Sequence, residues 1–257
     1  MKTTSAAQAA MLSIGLVLAL LGASMDKTQA AEIKVLAGGA LTGVMGELGP
    51  KFEQETGHKL VIKFGATPDL IKAATSGEPF DLGVTPVDVM QNEGARAQFV
   101  AGPPVNIARV GYGVAVKAGA PRPDVSTPEA LKATLLNAKS IALLPASAGG
   151  AYVTKVFARL GVTEAVAAKA QNKTTPAQVP EAVAKGDAEL GVFLTNVLTA
   201  PGVELAGTFP GDLQNNLVFV GALSASTKEQ AAAKAFIAFL QTPASQAAIK
   251  AKGMKAG

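Results

Sequence analysis

The spacing of apolar residues predicts a strand, a glycine turn and a helix between residues 32 and 52. Residues 33–36 form a short apolar run typical of a buried strand, and from residue 41 the apolar positions recur at helical spacing. A helix that begins directly after a turn directs unpaired N–H groups and the positive end of its dipole outward. The turn at Gly38 and Gly39 therefore fits an anion site, and it fits equally the first unit of an α/β sheet without a ligand.

Similar units recur along the chain. Strands predicted at residues 60–64 and 80–84 are each followed by a threonine-proline pair, at Thr67 and Thr85, that is typical of a helix start. In the second half, the strand predicted at residues 141–144 leads into another turn and helix. Alternating strands and helices predict mostly parallel sheets, whose ligand crevice lies at the carboxyl ends of the strands.

Two longer strands are predicted to connect two lobes. Residues 107–117 read as one long strand leaving the first lobe, and residues 216–223 as a second strand returning to it. The sequence thus predicts a two-lobed α/β protein, each lobe being a mostly parallel sheet flanked by helices. The expected lobes are residues 31–112 with 218–257, and residues 113–217.

Residues 1–30 have the features of a secretory signal peptide. Lys2 opens a short basic region, and residues 11–21 are apolar, a run well short of the roughly 20 residues that a transmembrane helix needs. Thr28-Gln29-Ala30 resembles a signal peptidase site, so we expect a mature chain that begins at Ala31, an uncleaved anchor being the alternative. Without cysteine the chain has no thiol for a lipid anchor. The expected location is the periplasm.

Composition and charge exclude several functions. Hydrophobic residues make up 49% of the chain and charged residues 16%, which is typical of a compact globular protein. The net charge of +4 is spread without a lysine/arginine run, so a nucleic-acid partner is not expected, while an anionic ligand is. With no cysteine and one histidine, neither a thiolate nucleophile nor a usual zinc site is expected, and no cofactor is predicted. The single histidine, His58, lies in a polar turn and is expected to be solvated.

Four short motifs resemble the periplasmic solute-binding proteins of the molybdate-binding type. They are IKVLAGGAL at residues 33–41, FEQETG at 52–57, KGDAELG at 185–191 and FIAFLQTPASQ at 236–246. The resemblance covers essentially the whole chain after residue 30. It implies the type II fold, hinged closure around a small anion and delivery of that anion to the membrane permease of an ABC importer. It also implies a monomer.

The chain departs from this family where the ligand is expected. Molybdate binders of this type present serine hydroxyls in the first two turns and a tyrosine at the end of a late strand. Here the first turn, residues 38–40, has no hydroxyl, the second has only Thr67, and Leu194 lies roughly where the tyrosine would be. Because an unpaired buried charge is costly, the ligand stays open between a molybdate- or tungstate-type oxyanion and a small carboxylate.

Candidate ligand-binding residues come from both lobes. Arg109 would hold a carboxylate in a two-pronged pair, or form an ordinary salt bridge. The turn before the helix predicted from residue 151 would form the second lobe's side of the ligand site, or it would be an ordinary turn that leads into a helix. Thr195 and Asn196 would contact the ligand, or cap the next helix. The predicted set is Gly38, Gly39, Ala40, Thr67, Thr85, Arg109, Ser147, Gly149, Gly150, Tyr152, Thr195 and Asn196.

An enzyme is the competing class. Some proteins that resemble these binding proteins isomerise small tricarboxylates such as aconitate, which requires a base and an acid placed across a bound carboxylate. Arg109 with the hydroxyls of Thr67 and Ser147 would suit such a ligand. The sequence offers no clear buried carboxylate, histidine or lysine for the proton transfer, so no catalytic residue is predicted and binding is preferred. A scaffold role is the third alternative.

Overall fold

The strands of the chain form two sheets. The computed structural model describes residues 30–257, so all but the last residue of the predicted signal peptide at residues 1–30 lies outside the described residues. In chain order the strands are β1 (Glu32–Gly38), β2 (Lys59–Gly65), β3 (Leu82–Pro86), β4 (Val105–Val110), β5 (Tyr112–Lys117), β6 (Ile141–Leu143), β7 (Ala170–Asn172), β8 (Leu190–Leu194), β9 (Val203–Thr208), β10 (Leu217–Leu223) and β11 (Lys255–Ala256).

Helices cover both sheets. In chain order they are α1 (Thr42–Thr56), α2 (Thr67–Thr75), α3 (Glu93–Arg96), α4 (Pro128–Asn137), α5 (Ala148–Leu160), α6 (Thr163–Ala167), α7 (Gln178–Lys185), α8 (Gln230–Leu240) and α9 (Pro243–Ala251). Short 3-10 turns occupy Gly39–Leu41, Val87–Gln91 and Gly211–Leu213. None of the helices in this described part has the length and hydropathy needed to cross a membrane.

Both sheets mix parallel and antiparallel pairs. The first has the order β11-β4-β10-β3-β1-β2, with β1 parallel to β2 and β3, and β10 antiparallel to β3 and β4. The second has the order β7-β6-β8-β5-β9, with β6 parallel to β7 and β8, and β5 antiparallel to β8 and β9. This is the predicted two-lobed α/β architecture with one difference. The sheets are mixed rather than mostly parallel, because each includes a strand that enters from the other lobe and runs in the opposite direction.

The predicted long strand at residues 107–117 is two strands. β4 lies in the first sheet and β5 in the second, with Gly111 between them. The side chain of Gln214, from the return connection, accepts a hydrogen bond from the Tyr112 N–H and donates one to the Tyr112 carbonyl, both at 2.9 Å. The two connections between the lobes are therefore hydrogen-bonded to each other.

Helix α1 follows the predicted apolar spacing. Its buried face carries Val44, Met45, Leu48 and Phe52, and the ring of Phe52 lies 4.8 Å from that of Phe236 in α8. The helix ends at Gly57, which has a left-handed backbone with φ of 77°. Glycine adopts this conformation without the steric cost of a Cβ atom, which explains the end of the helix.

His58 is buried, and the prediction of a solvated residue was wrong. Its side chain is 6% exposed, and its Nδ1 accepts a hydrogen bond from the Ala31 N–H at 3.1 Å. Its ring also packs against that of Phe52, 6.0 Å away. The polar residues around it concealed this burial, because the pairing of β1 with β2 brings Ala31 close only in the folded chain. His58 thus joins the amino ends of two strands, away from the ligand crevice.

Candidate ligand-binding site

A small cavity lies between the two lobes. Its volume is about 20 Å³, enough for roughly one water molecule, so the cleft is nearly closed. The first lobe contributes residues that follow or end β1, β2 and β3 and two residues near the start of β10, and the second contributes the start of α5, the end of β8 and a proline. The lining residues are Gly38, Gly39, Ala40, Gly65, Ala66, Thr67, Pro86, Ser147, Gly149, Pro176, Phe193, Leu194, Leu217 and Phe219.

The 3-10 turn after β1 brings the two lobes into close contact. A Cβ atom on Gly39 would lie 3.1 Å from Cγ of Pro176 in the other lobe. That approach is tighter than ordinary van der Waals contact, so a side chain on Gly39 would force the lobes apart or move Pro176. The turn also leaves its first N–H groups without an acceptor inside the helix, and its residues Gly39 and Ala40 line the cavity.

Thr67 connects the starts of two helices. The N-cap of α2 is Ala66 rather than the expected Thr67, so the helix begins one residue earlier than predicted, with Thr67 first and Pro68 second. The Thr67 Oγ1 accepts a hydrogen bond of 3.0 Å from the backbone N–H of Ala148, the first residue of α5. The starts of these two helices therefore meet at the cavity.

The start of α5 supplies one further N–H group. Ser147 is its N-cap, with Oγ accepting from the Gly150 N–H and donating to the Leu144 carbonyl, both at 2.9 Å. The single hydroxyl hydrogen of Ser147 is therefore already used. A Cβ atom on Gly150 would overlap the Leu144 carbonyl oxygen, so only glycine fits there. Among the first three N–H groups of α5, that of Gly149 is the one left for a ligand.

The rest of the cavity wall is hydrocarbon. Phe193 and Leu194 end β8, Leu217 and Phe219 lie in β10, and prolines complete the wall. No lysine, arginine, aspartate or glutamate lines the cavity within the described part of the chain. Residues 30–257 likewise contain no cluster of three or more acidic, cysteine or histidine side chains suited to a metal ion.

Two predicted residues lie elsewhere. The side chain of Arg109 is exposed in β4, paired with Val218 of β10 and Lys255 of β11, and it does not line the cavity. Thr85 is fully buried inside β3 rather than capping a helix, and its hydroxyl has no hydrogen-bond partner. Residue type and spacing did not reveal which face of each strand these side chains occupy.

Three other predicted residues support the cleft from outside its wall. The amide Nδ2 of Asn196 donates to the Ala40 carbonyl at 2.7 Å, across 156 residues and from one lobe to the other. The backbone N–H of Thr195 donates to the Gly111 carbonyl at 2.9 Å, beside the connection between β4 and β5. The hydroxyl of Tyr152 donates to the Leu213 carbonyl at 3.0 Å.

Tyr112 is the buried titratable residue near the lobe connection. Its ring centroid lies 4.6 Å from that of Tyr152 and 5.9 Å from that of Phe209. Burial raises the pKa of the Tyr112 hydroxyl far above its ordinary value, and the negative charge of Asp88 raises it further. Tyr112 is therefore uncharged at neutral pH and is not a base for proton abstraction.

The cavity brings together six of the twelve predicted residues, namely Gly38, Gly39, Ala40, Thr67, Ser147 and Gly149. Gly38 ends β1 and the other five follow the carboxyl ends of strands, where the crevice was expected. Sequence reasoning missed Pro86, Pro176, Leu217 and Phe219. In the sequence, apolar residues that line a cavity look the same as those that fill a core.

Comparison with known proteins identifies the family. The model for bacterial extracellular solute-binding proteins matches residues 33–255, and the chain belongs to that family. It is 31% identical over 231 residues to an aconitate isomerase from Pseudomonas sp, covering 87% of each chain. It is 30% identical over 235 residues to the molybdate-binding protein ModA of Azotobacter vinelandii, covering 88% of this chain and 90% of that one.

A solved structure shows the same fold. The periplasmic molybdate-binding protein of Azotobacter vinelandii superposes with a TM-score of 0.73 at 21% identity, covering 88% of this chain and 99% of that one. The predicted two-lobed fold and the resemblance to the molybdate-binding type are thereby confirmed. The family also establishes a solute-binding role for this chain.

Proposed function

We propose that this protein binds a small anion between its two lobes and delivers it to the permease of an ABC importer. The observation that carries the proposal is the convergence of the starts of α2 and α5, with the turn after β1, on one cavity. Helix starts present unpaired N–H groups and a positive dipole end, which together favour an anion. Binding requires no covalent chemistry and no cofactor.

Thr67 couples the ligand to closure of the lobes. A hydroxyl has one hydrogen to donate and two lone pairs to accept. The Thr67 oxygen accepts from Ala148, and its hydrogen has no acceptor among the described residues, so it can donate to an anion. A ligand that accepts hydrogen bonds from the Thr67 hydroxyl and from the Gly149 N–H contacts both lobes at once. It therefore stabilises the closed state.

The proposed ligand belongs to one of two classes. The molybdate-binding relatives support an oxyanion of the molybdate or tungstate type. The shortage of free hydroxyls in the cavity supports a small carboxylate, since Thr67 alone has a hydroxyl hydrogen available there.

The proposal also includes a periplasmic location after removal of a signal peptide, without a lipid anchor, and a monomeric state. The periplasmic molybdate-binding structure that shares the fold supports this location.

A second candidate function is isomerisation of a small tricarboxylate. The relative named aconitate isomerase supports it, at 31% identity over 87% of each chain. The reaction needs a group that removes a proton and one that returns it. Among residues 30–257, no carboxylate, histidine or lysine lines the cavity, and burial raises the pKa of Tyr112. Binding therefore remains the first candidate.

A thermal-shift panel on the chain from Ala31 tests the proposal. It includes molybdate, tungstate, sulfate, phosphate, citrate and both aconitate isomers. A ligand at a hundredfold excess over its dissociation constant stabilises the folded state by about 2.7 kcal/mol, which gives a clear shift. Failure of all small anions to stabilise the protein would overturn the proposal. Interconversion of the aconitate isomers, followed by proton NMR, would replace the binding role with the enzymatic one.

A further inference from the structure

Within the described residues, no strand pairing joins the two connections where they pass between the lobes. On the first connection, Val110 is paired in the first sheet and Tyr112 in the second, which leaves Gly111 between the sheets. On the return connection, the first sheet begins at Leu217, the partner of Val110. Hinges are formed by a few loop or strand-terminal residues that absorb a change in backbone angles, and this break in pairing provides such residues.

The return connection is fixed to the second lobe as far as residue 214. The Phe209 N–H donates to the Tyr112 carbonyl at 3.0 Å. The Leu213 carbonyl accepts from the hydroxyl of the tyrosine in α5, also at 3.0 Å. Residues 215–216 therefore lie between a segment that is anchored to the second lobe and the first paired residue of the first lobe.

One side chain takes the place of the missing pairing. The Gln214 Oε1 accepts from the Tyr112 N–H at 2.9 Å and from the Asn215 N–H at 3.1 Å, while its Nε2 donates to the Tyr112 carbonyl at 2.9 Å. The same amide group lies against Gly111, where a Cβ atom would be 3.1 Å from Nε2. Gln214 thus joins the two connections at the residues that lack strand partners.

Asn216 also has the features of a residue that moves. Its backbone N–H donates to the side chain of Asn215 at 2.8 Å, so a rotation of Asn216 breaks no strand hydrogen bond made by that N–H group. Its Oδ1 is buried and has no hydrogen-bond partner among residues 30–257. A buried polar atom without a partner is costly, and opening of the lobes would relieve that cost by admitting water.

We propose that the lobes rotate about Gly111 on one connection and residues 215–216 on the other, and that the side-chain amide of Gln214 holds these two points side by side. The two points then define a single axis, so the lobes return to one closed arrangement. Gln214 does not line the cavity and is a positioning residue. The inference rests on the proposed function, because it describes the closure of the same cleft.

The distribution of distances between the lobes tests this inference in the ligand-free chain from Ala31. The chain has no cysteine, so Gln54→Cys on α1 and Lys155→Cys on α5 introduce two exposed labelling sites. Pulsed electron paramagnetic resonance between spin labels at these sites measures the distribution. Gln214→Met removes the amide at similar side-chain length. We expect a wider distribution, because the connections are no longer joined and more orientations of the lobes become accessible.

Gln246→Met is the matched control. The Gln246 Nε2 donates to the carbonyls of Ile107 and Leu240, both in the first lobe, so this variant loses hydrogen bonds of the same kind away from the connections. Both variants should unfold at a lower temperature than the parent. The distribution of Gln246→Met should nevertheless stay as narrow as that of the parent, which separates positioning of the lobes from general stability.

A second substitution at the same residue covers the case in which Gln214→Met does not fold. Gln214→Glu keeps the size of the side chain and the acceptor for the Tyr112 N–H, but it places an oxygen against the Tyr112 carbonyl and should also widen the distribution. An unchanged distribution in the folded Gln214 variants, or equal widening in Gln246→Met, would overturn the inference. Neither result bears on the proposed function, because the measurement contains no ligand.

Discussion

The Thr67 hydroxyl oxygen accepts a hydrogen bond of 3.0 Å from the backbone N–H of Ala148, which lies 81 residues further along the chain. One residue begins a helix of the first lobe and the other begins a helix of the second. The first N–H group of α5 is thus occupied by a side chain of the first lobe, which leaves the N–H of Gly149 for an anion. This contact holds the lobes together and leaves the hydroxyl hydrogen of Thr67 for the ligand.

Removal of the Thr67 hydroxyl should weaken anion binding. Thr67→Val keeps the size of the side chain but loses both the acceptor for Ala148 and the donor to the ligand. A hydrogen bond to a charged group contributes about 1.5–3 kcal/mol, so the dissociation constant should rise roughly tenfold to a hundredfold. Calorimetry with the best ligand of the panel measures this change. Thr67→Ser retains the hydroxyl and should bind nearly as the parent does, whereas equal affinity of the valine variant would exclude Thr67 from the site.

A methyl group at Gly39 should disfavour the closed state. Its Cβ atom would lie 3.1 Å from Pro176 across the cleft, so the Gly39→Ala variant should be more open and bind the ligand more weakly. Small-angle scattering, with and without ligand, measures the opening as a larger radius of gyration.

Gly43→Ala is the matched control for this change. A Cβ atom there meets nothing within 4 Å, and the position lies in helix α1. Because alanine is favoured over glycine in a helix, this variant should gain up to about 1 kcal/mol of stability and keep its affinity. Equal affinities of the two variants would show that the contact between Gly39 and Pro176 does not control closure.

Asn196→Asp should also open the cleft. The substitution removes the Nδ2 donor and places a carboxylate oxygen beside the Ala40 carbonyl, where the donor now lies at 2.7 Å. Two acceptors repel each other at that distance, so the closed state should be destabilised and ligand affinity should fall several-fold. Asn137→Asp adds the same charge at an exposed position. If both variants bind alike, the contact between Asn196 and Ala40 is not part of closure.

The stability contributed by Glu53 should disappear in acid. Its carboxylate accepts from the Leu60 N–H at 2.7 Å and from Lys59 at 3.2 Å, which lowers the pKa of Glu53 below its ordinary value of 4.5. The carboxylate form is favoured in the folded state, so the stabilisation is complete above that ordinary value and is lost as the pH falls through the lowered pKa. The difference in melting temperature between the parent and Glu53→Gln should therefore shrink from pH 6 to pH 3. Glu55→Gln, exposed on the same helix, serves as the comparison.

Arg109→Ala should leave ligand binding unchanged. The side chain is exposed and outside the cavity wall, and surface substitutions of this kind usually alter stability by no more than about 0.5 kcal/mol. Calorimetry and thermal unfolding measure both effects. Loss of binding with normal unfolding would instead support the hypothesis, drawn from its residue type and position, that Arg109 holds the ligand.

Local patterns predicted most elements of the fold. The strand expected at residues 60–64 is β2 with one more residue at each end, and the helix predicted from residue 41 begins as a 3-10 turn and continues as α1 to Thr56. Prediction failed where a residue's environment depends on distant segments. Gly111 divides the long strand predicted at residues 107–117 between two sheets, and the contact with Ala31 buries His58 in a polar turn.

The sequence by itself determined the strands, the helices and the turns at the carboxyl ends of strands, because these depend on hydrogen bonds and apolar spacing within a few residues. The tertiary structure alone decided which turns meet at the cavity, that Arg109 lies outside it, and that Leu217 and Phe219 form its wall. These relationships join residues as far apart as Asn196 and Ala40, 156 positions along the chain. No local pattern records such a pairing, because it is fixed only when the two lobes close on each other.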